Sequence, residues 1–480
     1  MTRTTTLAWA GALAVGYALM AGILAISTIP DMRPIPRLGL ALALAVVVFV
    51  HGALVWRLWR SSTPVGLPTV LFIALAFVLI LSVTLPAFTD VYSYVGYGRL
   101  VAVYDANPAT VAPDTFPGDP YFSAIPPEYR DAISVYGPLW NLLGGGVAGV
   151  AELLGIGLSG TVWLFRGLIV LSFGACVVLL WHLLGRWLPQ RQAAGTILFA
   201  WSPLVVIEAA AIHNDFVMTA LVVGGVLLAS RGHPLLAVAL LTMAVLIKFF
   251  AGVILLFLVV ALISQRAPGR DRWMALGANA LVVLLVSVPL YLWLGDPLRS
   301  VLSPLSSDAG SNYNSLAEVT SAAITRLGVV GAHDVDLFVR WAAQLMAVAI
   351  VVGLAVVVWR RRSLPVGVSA GVVALMVVVL LSGRFWPWYV VVVLALASLA
   401  APAVRAGAVI LGYSALSIYA LYPLAAGPAA LGLLRSLVMV IPVLFVVVWR
   451  IRRARSGFTD ALVVPESGSS PSPAPPPRMS

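Results

Sequence analysis

The feature that most constrains this chain is a succession of long apolar stretches between residues 7 and 450, separated by short segments with arginine, glycine or proline. Most are about 17 to 25 residues long, the length of helix that crosses the roughly 30 Å hydrocarbon layer of a bilayer. They are continuous in Val, Leu and Ala, without the alternation typical of outer-membrane β-strands. With 61% hydrophobic and 10% charged residues, the composition is also far from that of soluble domains. The sequence therefore predicts an all-α polytopic membrane protein.

The number of spans depends on the apolar segment 138–157, which is ambiguous because it contains three consecutive glycines and Glu152. If this segment is a re-entrant or interfacial helix, 18 arginines face the cytoplasm against three acidic residues. If it is a full span, 15 of those arginines move outside, against the positive-inside bias. We therefore predict about 14 transmembrane helices with both termini in the cytoplasm. The predicted spans are 7–28, 38–59, 67–86, 160–184, 192–211, 213–230, 234–248, 249–264, 272–294, 335–359, 364–383, 388–404, 406–424 and 430–450.

This topology predicts a multi-pass protein of the cell membrane with two long outer loops. The first, about 87–159, is large and contains the predicted interfacial helices, and the second is about 295–334. Residues 1–456 form one membrane-embedded domain. Residues 457–480 end in "GSSPSPAPPPRMS", a composition that predicts a disordered Pro/Ser-rich cytoplasmic tail.

The single lysine, Lys248, interrupts an apolar run, although all 28 other basic residues are arginine. The run 234–264 is too long for one crossing, so the predicted topology places Lys248 at an outer turn between two short spans. Arg166 and Arg384 also lie near outer ends of predicted spans. A charge at the membrane centre costs roughly 2.5–3.5 kcal/mol on insertion scales. We therefore predict one polar cavity on the outer face, roofed by the two loops.

The "HND" turn between two predicted spans contributes His213, Asn214 and Asp215 to the same face. Asn214 is predicted to cap the following helix, with Asp215 in its first turn. A lone histidine at such a place is more often a hydrogen-bonded helix terminus than a ligand. These roles leave the side chains available to a sugar hydroxyl.

Asp90 directly follows the third predicted span, and Tyr94, Tyr97 and Tyr104 recur behind it at helical spacing. A carboxylate at the rim of an aromatic surface suits carbohydrate, whose C–H faces stack on rings while its hydroxyls bond to acids. The alternative is a tyrosine belt that only anchors an interfacial helix. "RFWPWY", 384–389, has the same two interpretations, because aromatic residues collect at membrane interfaces.

Several other classes of site are not supported. No Asp-x-Asp pair accompanies Asp90, no histidines cluster, and the "GGG" at 144–146 is not followed by a P-loop lysine. We therefore predict no metal and no cofactor. Because a net charge of +11 is accounted for by topology, no nucleic-acid partner is predicted.

The order of these motifs resembles the membrane-embedded GT-C glycosyltransferases, most closely the actinobacterial polyprenyl-phosphomannose-dependent alpha-mannosyltransferases. The resemblance rests on "FTDVYSYVGYGRLVAVYDANP", "VYGPLW", "SPLVVIEAAAIHNDF", "LIKF" and "RFWPWYVVVVLAL" and covers about 85–400. It implies a GT-C fold and inverting transfer of a sugar from a polyprenyl-phosphate donor on the extracytoplasmic face. The acceptor would be a cell-envelope glycan or glycolipid. Membrane lipid would hold the donor's tail.

The resemblance also implies roles for residues of this sequence. The family's catalytic acid corresponds to Asp90, as general base, and its later acidic and basic residues to Asp215 and Lys248. A fixed cation stabilises the departing phosphate, which predicts donor-phosphate binding by Lys248, Arg384 and Arg166. The residues predicted to bind substrate are Tyr94, Tyr97, Tyr136, His213, Asn214, Asp215, Trp386, Trp388 and Tyr389.

Two other functions are open at this point. A transporter or flippase for a lipid-linked saccharide would need cations along the whole crossing path, whereas here they cluster at one face. A structural partner of other envelope proteins would not need Asp90 or Lys248. The sequence therefore favours an enzyme.

Overall fold

The computed structural model describes residues 2–27, 35–61, 65–83, 90–296, 316, 320–321, 324–325, 332–382, 385–421 and 428–453. Arg384, the tail 457–480 and most of the second predicted outer loop therefore lie outside the described residues. Within these ranges the chain is helical, with no strand. The helices are α1 (Arg3–Ser27), α2 (Ile35–Arg60), α3 (Leu67–Ser82), α4 (Asp90–Tyr104), α5 (Pro127–Arg130), α6 (Pro138–Leu153), α7 (Leu158–Trp187), α8 (Gln192–Ala200), α9 (Pro203–Ala210), α10 (Asp215–Ser230), α11 (Pro234–Val245), α12 (Gly252–Ser264), α13 (Arg270–Leu294), α14 (Ala332–Arg361), α15 (Leu364–Leu381), α16 (Val390–Ala397), α17 (Pro402–Leu421) and α18 (Pro428–Arg453).

Every predicted span contains a helix, which confirms an all-α polytopic membrane protein. Among the described residues, six helices are long and apolar enough to cross a membrane, or seven if the bent pair α8–α9 counts as one span. Others are shorter: α11 has 12 residues and α16 has eight. A crossing normally takes about 20 helical residues. The count of 14 therefore stays a prediction.

The outer surfaces of the long helices are apolar. Phe49 on α2 is 76% exposed and Leu292 on α13 is 81% exposed. Soluble monomers rarely expose apolar patches of this extent. In a membrane protein, the exposed side chains of such helices contact lipid hydrocarbon and are therefore apolar. The surface of these helices is thus that of a membrane protein.

Helices α4 and α6 pack closely because glycines meet at their contact. A Cβ added at Gly98 would collide with the backbone carbonyl of Gly144, and one added at Gly145 would collide with Val101. Small residues let helix backbones approach in this way. The three consecutive glycines that made 138–157 ambiguous therefore have a packing role. Residues 138–153 form a continuous helix, and its position relative to the membrane stays a prediction.

An ion-pair network centred on the buried Arg99 fastens the first loop to this helix pair. Arg99 Nε donates to Asp119 at 2.8 Å, and its Nη1 donates to Glu152 at 2.9 Å. Asp119 also accepts from the Tyr104 hydroxyl and from the backbone N–H of Tyr121. The Tyr104 hydroxyl therefore helps to hold the first loop in place.

Helix breaks place backbone termini and polar side chains inside the protein. Helices α8 and α9 meet at 50° around Trp201 and Ser202. Pro203 occupies the start of α9. A backbone N–H at this position would have no partner within the helix, so proline loses no hydrogen bond there, and its fixed φ suits the helix. Further short breaks separate α9 from α10 and α11 from α12, and a single 3-10 turn, Pro387–Tyr389, precedes α16. The candidate site lies at these breaks.

Candidate active site

Four segments that are distant in sequence meet at one largely buried polar site. Asp90 begins α4, His213 lies in the α9–α10 turn, Lys248 lies between α11 and α12, and Trp388 lies in the 3-10 turn before α16. Contacts of His213 with Asp90 and with Trp388, and of Lys248 with Asp215, join them. The structure thus brings together residues that the sequence placed at the ends of different spans.

Lys248 lies at a break in the helical chain. Helix α11 ends at Val245, and Lys248 is extended, with φ −143° and ψ 122°, before the next helical turn. Its Nζ donates to Asp215 Oδ2 at 2.6 Å, and the two side chains are 11% and 0% exposed. Nζ also lies 5.7 Å from the centre of the Tyr389 ring. An ammonium has three N–H donors, and the bond to Asp215 uses one of them.

The position of this lysine is tied to the predicted "VYGPLW" motif. The backbone N–H groups of Gly137 and Leu139 donate to the carbonyls of Ile247 and Leu246, at 3.1 and 3.0 Å. A Cβ at Gly137 would collide with the Leu246 carbonyl. Glycine is therefore required where the start of α6 lies against the segment that carries Lys248.

The α9–α10 turn contains a strained residue. Ile212 has φ +69°, a left-handed conformation that is unusual for a β-branched side chain. Such a residue costs about 1–3 kcal/mol and persists only where the surrounding structure holds it. Ile212 is 1% exposed, so packing of its side chain fixes the turn. The strain directs the next residues, His213, Asn214 and Asp215, into the site.

The predicted N-cap hydrogen bond of Asn214 is wrong. Asn214 precedes α10, but its φ of −67° and ψ of −6° are helical, whereas a capping side chain requires an extended backbone. Its side-chain Oδ1 and Nδ2 are buried and make no hydrogen bond to the described residues. Buried polar groups normally have partners. This amide thus offers an acceptor and a donor to a polar molecule in the site.

His213 lies between two carboxyl groups. Its Nε2 is 3.3 Å from Glu208 Oε2, and its Nδ1 is 3.9 Å from Asp90 Oδ2. The imidazole is stacked on the Trp388 ring at 4.1 Å, with 18° between the planes. The stack restricts the imidazole ring to one plane.

Asp90 is the acid of the site that solvent reaches most easily, with a side chain that is 20% exposed. Burial raises the pKa of Asp90, the Lys248 charge lowers it, and the Asp215 charge raises it. A carboxylate whose pKa is raised by burial is a stronger base than a solvated one. Asp90 therefore has the exposure and basicity of a group that takes a proton from a ligand.

The tyrosines behind Asp90 are packed more deeply than the sequence suggested. Tyr94 is 1% exposed and lies against the rings of Tyr136, Trp140 and Phe165, with centroids at 5.2, 5.0 and 6.0 Å. The Tyr97 hydroxyl donates to backbone carbonyls of the first loop, at Ala132 and Ile133. These contacts support the site from behind. Sugar binding by Tyr94, Tyr97 and Tyr136 stays a prediction.

A stack of aromatic rings forms another wall. Trp386 lies parallel to Trp388, with centroids at 4.9 Å and 4° between the planes, and Trp388 in turn stacks on His213. Tyr389 packs on Phe250, which follows Lys248. The stack runs from the buried histidine to the partly exposed Trp386. It offers a flat ring face beside the polar groups.

Arg166 holds the turn from α7. Its Nη1 donates to the carbonyl of Ala210, the last residue of α9, at 2.6 Å, and its guanidinium lies 5.0 Å from the Trp163 ring. Arg166 as a whole residue is 6% exposed. Arg166 thus has a structural contact near the site, and its predicted contact with a donor phosphate stays a prediction.

Sequence reasoning assigned no role to two residues of this site, Glu208 and Tyr419. The Tyr419 hydroxyl on α17 donates to Glu208 Oε1 at 2.6 Å, and Glu208 is fully buried. Glu208 had a signal, since it is an acid five residues before His213. Tyr419 had none, because nothing in its apolar surroundings marks which face of α17 meets α9.

Metal binding finds no support in the described part of the chain, where no three His, Cys, Asp or Glu side chains are grouped as ligands. The acids of the site instead face a lysine, a histidine and a tyrosine hydroxyl.

Fold and site together define a multi-pass, all-helical membrane protein with a buried polar site at helix breaks. A family model described as "Alpha-(1->6)-mannopyranosyltransferase, N-terminal domain" matches residues 2–264, more than half of the sequence. The chain therefore belongs to the alpha-(1->6)-mannopyranosyltransferase family. This confirms the resemblance to actinobacterial alpha-mannosyltransferases drawn from the motifs.

One curated relative extends the similarity beyond the family match. The chain is 30% identical over 347 residues to Alpha-(1->6)-mannopyranosyltransferase A of Mycobacterium tuberculosis. The alignment covers 70% of this chain and 66% of that relative, slightly less than two thirds of its length. Asp90, the "HND" turn and Lys248 all lie inside the family match, whereas Trp388 and Tyr419 lie beyond it.

Proposed function

We propose that this protein is an inverting glycosyltransferase that transfers mannose from a polyprenyl-phosphate donor to a glycan or glycolipid acceptor of the cell envelope. The observation that carries the proposal is the meeting of a partly exposed basic carboxylate, Asp90, with a lysine ammonium and a free asparagine amide in one membrane-embedded site. Membership of a mannosyltransferase family supports mannose as the sugar.

Asp90 acts on the acceptor. Its carboxylate takes the proton of an acceptor hydroxyl while the hydroxyl oxygen forms a bond to the anomeric carbon. At the same time the bond from that carbon to the phosphate oxygen breaks, and polyprenyl phosphate leaves with the electron pair. Attack opposite the leaving group inverts the anomeric carbon. The raised pKa of Asp90 suits it to receive this proton.

Lys248 acts on the donor. Negative charge grows on the phosphate as the glycosidic bond breaks, and a fixed cation stabilises that charge more in the transition state than in the ground state. The bond to Asp215 orients the ammonium, and its other N–H donors remain for phosphate oxygens. The prenyl chain stays in the bilayer beside apolar helices. Asn214 is placed to bind a sugar hydroxyl.

The donor class can be tested directly with the full-length protein reconstituted in vesicles. We expect mannosyl transfer to a synthetic mannoside when polyprenyl-phosphate mannose is supplied, and no transfer when a nucleotide-linked mannose is supplied instead. Linkage analysis of the product would identify the bond formed. Transfer from the nucleotide sugar alone would refute the proposed donor. Movement of the lipid-linked sugar across the vesicle without transfer would favour the flippase.

The proposed extracytoplasmic location of the site is supported by arginine placement and has its own test. Ser363 lies between α14 and α15, beside Arg360 and Arg361, and is predicted to be cytoplasmic. In a Cys176→Ala background, a Ser363→Cys variant should not react with a membrane-impermeant thiol reagent in intact cells and should react after permeabilisation. The Cys176→Ala parent, which has no cysteine, is the control. Labelling in intact cells would show that the predicted topology is inverted.

A further inference from the structure

A cavity lies at the opposite end of α7 from the candidate active site. It has a volume of about 470 Å³ and lies where α2 and α7 end and where α3 and α8 begin. About 22 Å of helix separates Arg166, near the candidate active site, from Trp181 at the cavity. The predicted topology places this end of α7 on the cytoplasmic side. The cavity is therefore distinct from the candidate active site.

The lining of the cavity combines polar and apolar groups. Ser61, Gln190 and Gln192 supply hydroxyl and amide groups, whereas Leu58 and Trp181 supply apolar surface. The Gln192 amide donates one N–H to the Trp181 carbonyl at 2.9 Å and carries a second N–H. Sites for whole small molecules have volumes of roughly 300–1,000 Å³. A cavity of this size and lining suits the headgroup of an amphiphile better than a single ion.

Two arginines lie beside this cavity. Arg191 lies between the lining residues Gln190 and Gln192 in sequence, and its side chain makes no hydrogen bond or ion pair to the described residues. The Arg405 guanidinium lies over the Trp59 ring, 3.9 Å from the ring centre, and Trp59 directly follows a lining residue of α2. Burial, and after it the Arg191 charge, lower the pKa of Arg405 to about 9. The two cations are therefore close enough to repel each other.

The helices around the cavity contain no acidic side chain that could balance these arginines. Helix α8 packs on α2, α3, α7 and α16, and α17 packs on α2 and α16. The sequence has no Asp or Glu in 32–89, 153–207 or 337–459, the segments that include all six helices. An anion bound beside Arg191 and Arg405 would relieve their repulsion. Helices α3 and α8 begin at the cavity, and the positive ends of their dipoles also favour an anion.

We propose that this cavity binds the phosphate headgroup of an anionic membrane lipid, with Arg191 and Arg405 as its cationic contacts. Arg405 donates to the carbonyls of Ala397 and Ala400, which restrains its guanidinium and leaves other N–H donors for phosphate oxygens. Basic pockets between helices on the cytoplasmic side bind acidic lipid headgroups in other membrane proteins. The inference goes beyond the proposed sugar transfer and does not depend on it.

Three variants separate this site from general surface charge. Arg191→Gln removes one cation without removing a side-chain hydrogen bond to the described residues. Ala193→Leu keeps every charge and fills part of the cavity, because Ala193 is a lining residue. Arg231→Gln is the matched control, because Arg231 is an exposed arginine that follows α10, on the same predicted face and outside the cavity lining.

The measurement is thermal unfolding of the full-length protein in a neutral detergent during titration with phosphatidylglycerol, phosphatidylcholine or inorganic phosphate. We expect a saturable rise in Tm with phosphatidylglycerol and no rise with the other two. Arg191→Gln should weaken the apparent affinity about tenfold, the effect of losing about one hydrogen bond to a charged group. Ala193→Leu should abolish the saturable rise, and Arg231→Gln should titrate like the wild type. The titration midpoint can be compared even where a variant starts from a lower Tm.

Three results would overturn the proposal. An equal rise with phosphatidylcholine would show that the headgroup charge is not recognised. An equal rise with inorganic phosphate would assign the cavity to a soluble phosphate compound instead of a lipid. Equal losses of affinity in Arg231→Gln and Arg191→Gln would show attraction by the net positive charge of this face alone. Since the readout is lipid binding, a failure of mannosyl transfer would leave this test unaffected.

Discussion

Asp90→Asn is expected to lower the rate of mannosyl transfer by about 1,000-fold, because the amide keeps the shape of the side chain but cannot accept the proton of the acceptor hydroxyl. The KM for the donor should change little, since the proposed contact of Asp90 is with the acceptor. The measurement is the rate of product formation in reconstituted vesicles, with protein amount matched. Asp114→Asn is the control, because Asp114 is an exposed acid of the same first loop.

The pH dependence supplies a second measure of the same residue. A general base works only when it is deprotonated, so kcat/KM should fall as the pH falls through the pKa of Asp90. Since burial raises this pKa, the acid limb should lie above the value of about 4 that is ordinary for aspartate. An Asn variant with full activity, or a rate that is constant down to pH 4, would contradict the assignment.

Replacement of Lys248 is expected to have the next largest effect. Lys248→Met has a similar volume without the charge, and we expect a loss of about 100- to 1,000-fold in kcat, the size seen when one stabilising donor of a developing anion is removed. Lys248→Arg should also be impaired. Its planar fork is bulkier than an ammonium that lies 2.6 Å from a fully buried Asp215. Because the Lys248 charge lowers the pKa of Asp90, Lys248→Met should also move the acid limb to higher pH.

A double substitution distinguishes phosphate binding from a structural ion pair. Breaking a buried ion pair by removing one partner leaves an uncompensated charge, and removing both partners often restores stability. We therefore expect Lys248→Met combined with Asp215→Asn to recover folding, as judged by thermal unfolding, but not transfer. Recovery of transfer in the double variant would show that the lysine does not bind the donor phosphate. Full activity of Lys248→Arg would show that the choice of lysine over arginine is incidental.

The membrane fold could be predicted because its main determinant is local. Stretch length and hydropathy decide whether a segment lies in lipid, and each predicted span contains a helix. The breaks were harder to predict, because they depend on what packs beside the chain. Pro203 marks a helix break in 192–211 but not the 50° angle of the bend at Trp201, whose indole donates to the Val70 carbonyl on another helix.

The candidate site could be predicted as far as charge and depth determine it. Asp90, Asp215 and Lys248 stood out because polar residues are rare in apolar sequence, and the structure brings all three together. Contacts that depend on backbone conformation and helix packing could not be predicted from the sequence. The helical backbone conformation of Asn214 is not that of a capping residue, and the hydrogen bond of Tyr419 to Glu208 depends on the rotation of α17.

The stack of Trp388 on His213 has a consequence for how this family can diversify. The family match ends at residue 264, yet the ring beneath His213 and the hydroxyl on Glu208 come from residues 388 and 419. The matched segment therefore does not contain the whole candidate site. In the proposed mechanism, substitutions in the second half of the chain can therefore change the surroundings of the general base Asp90 without altering any motif in the first half.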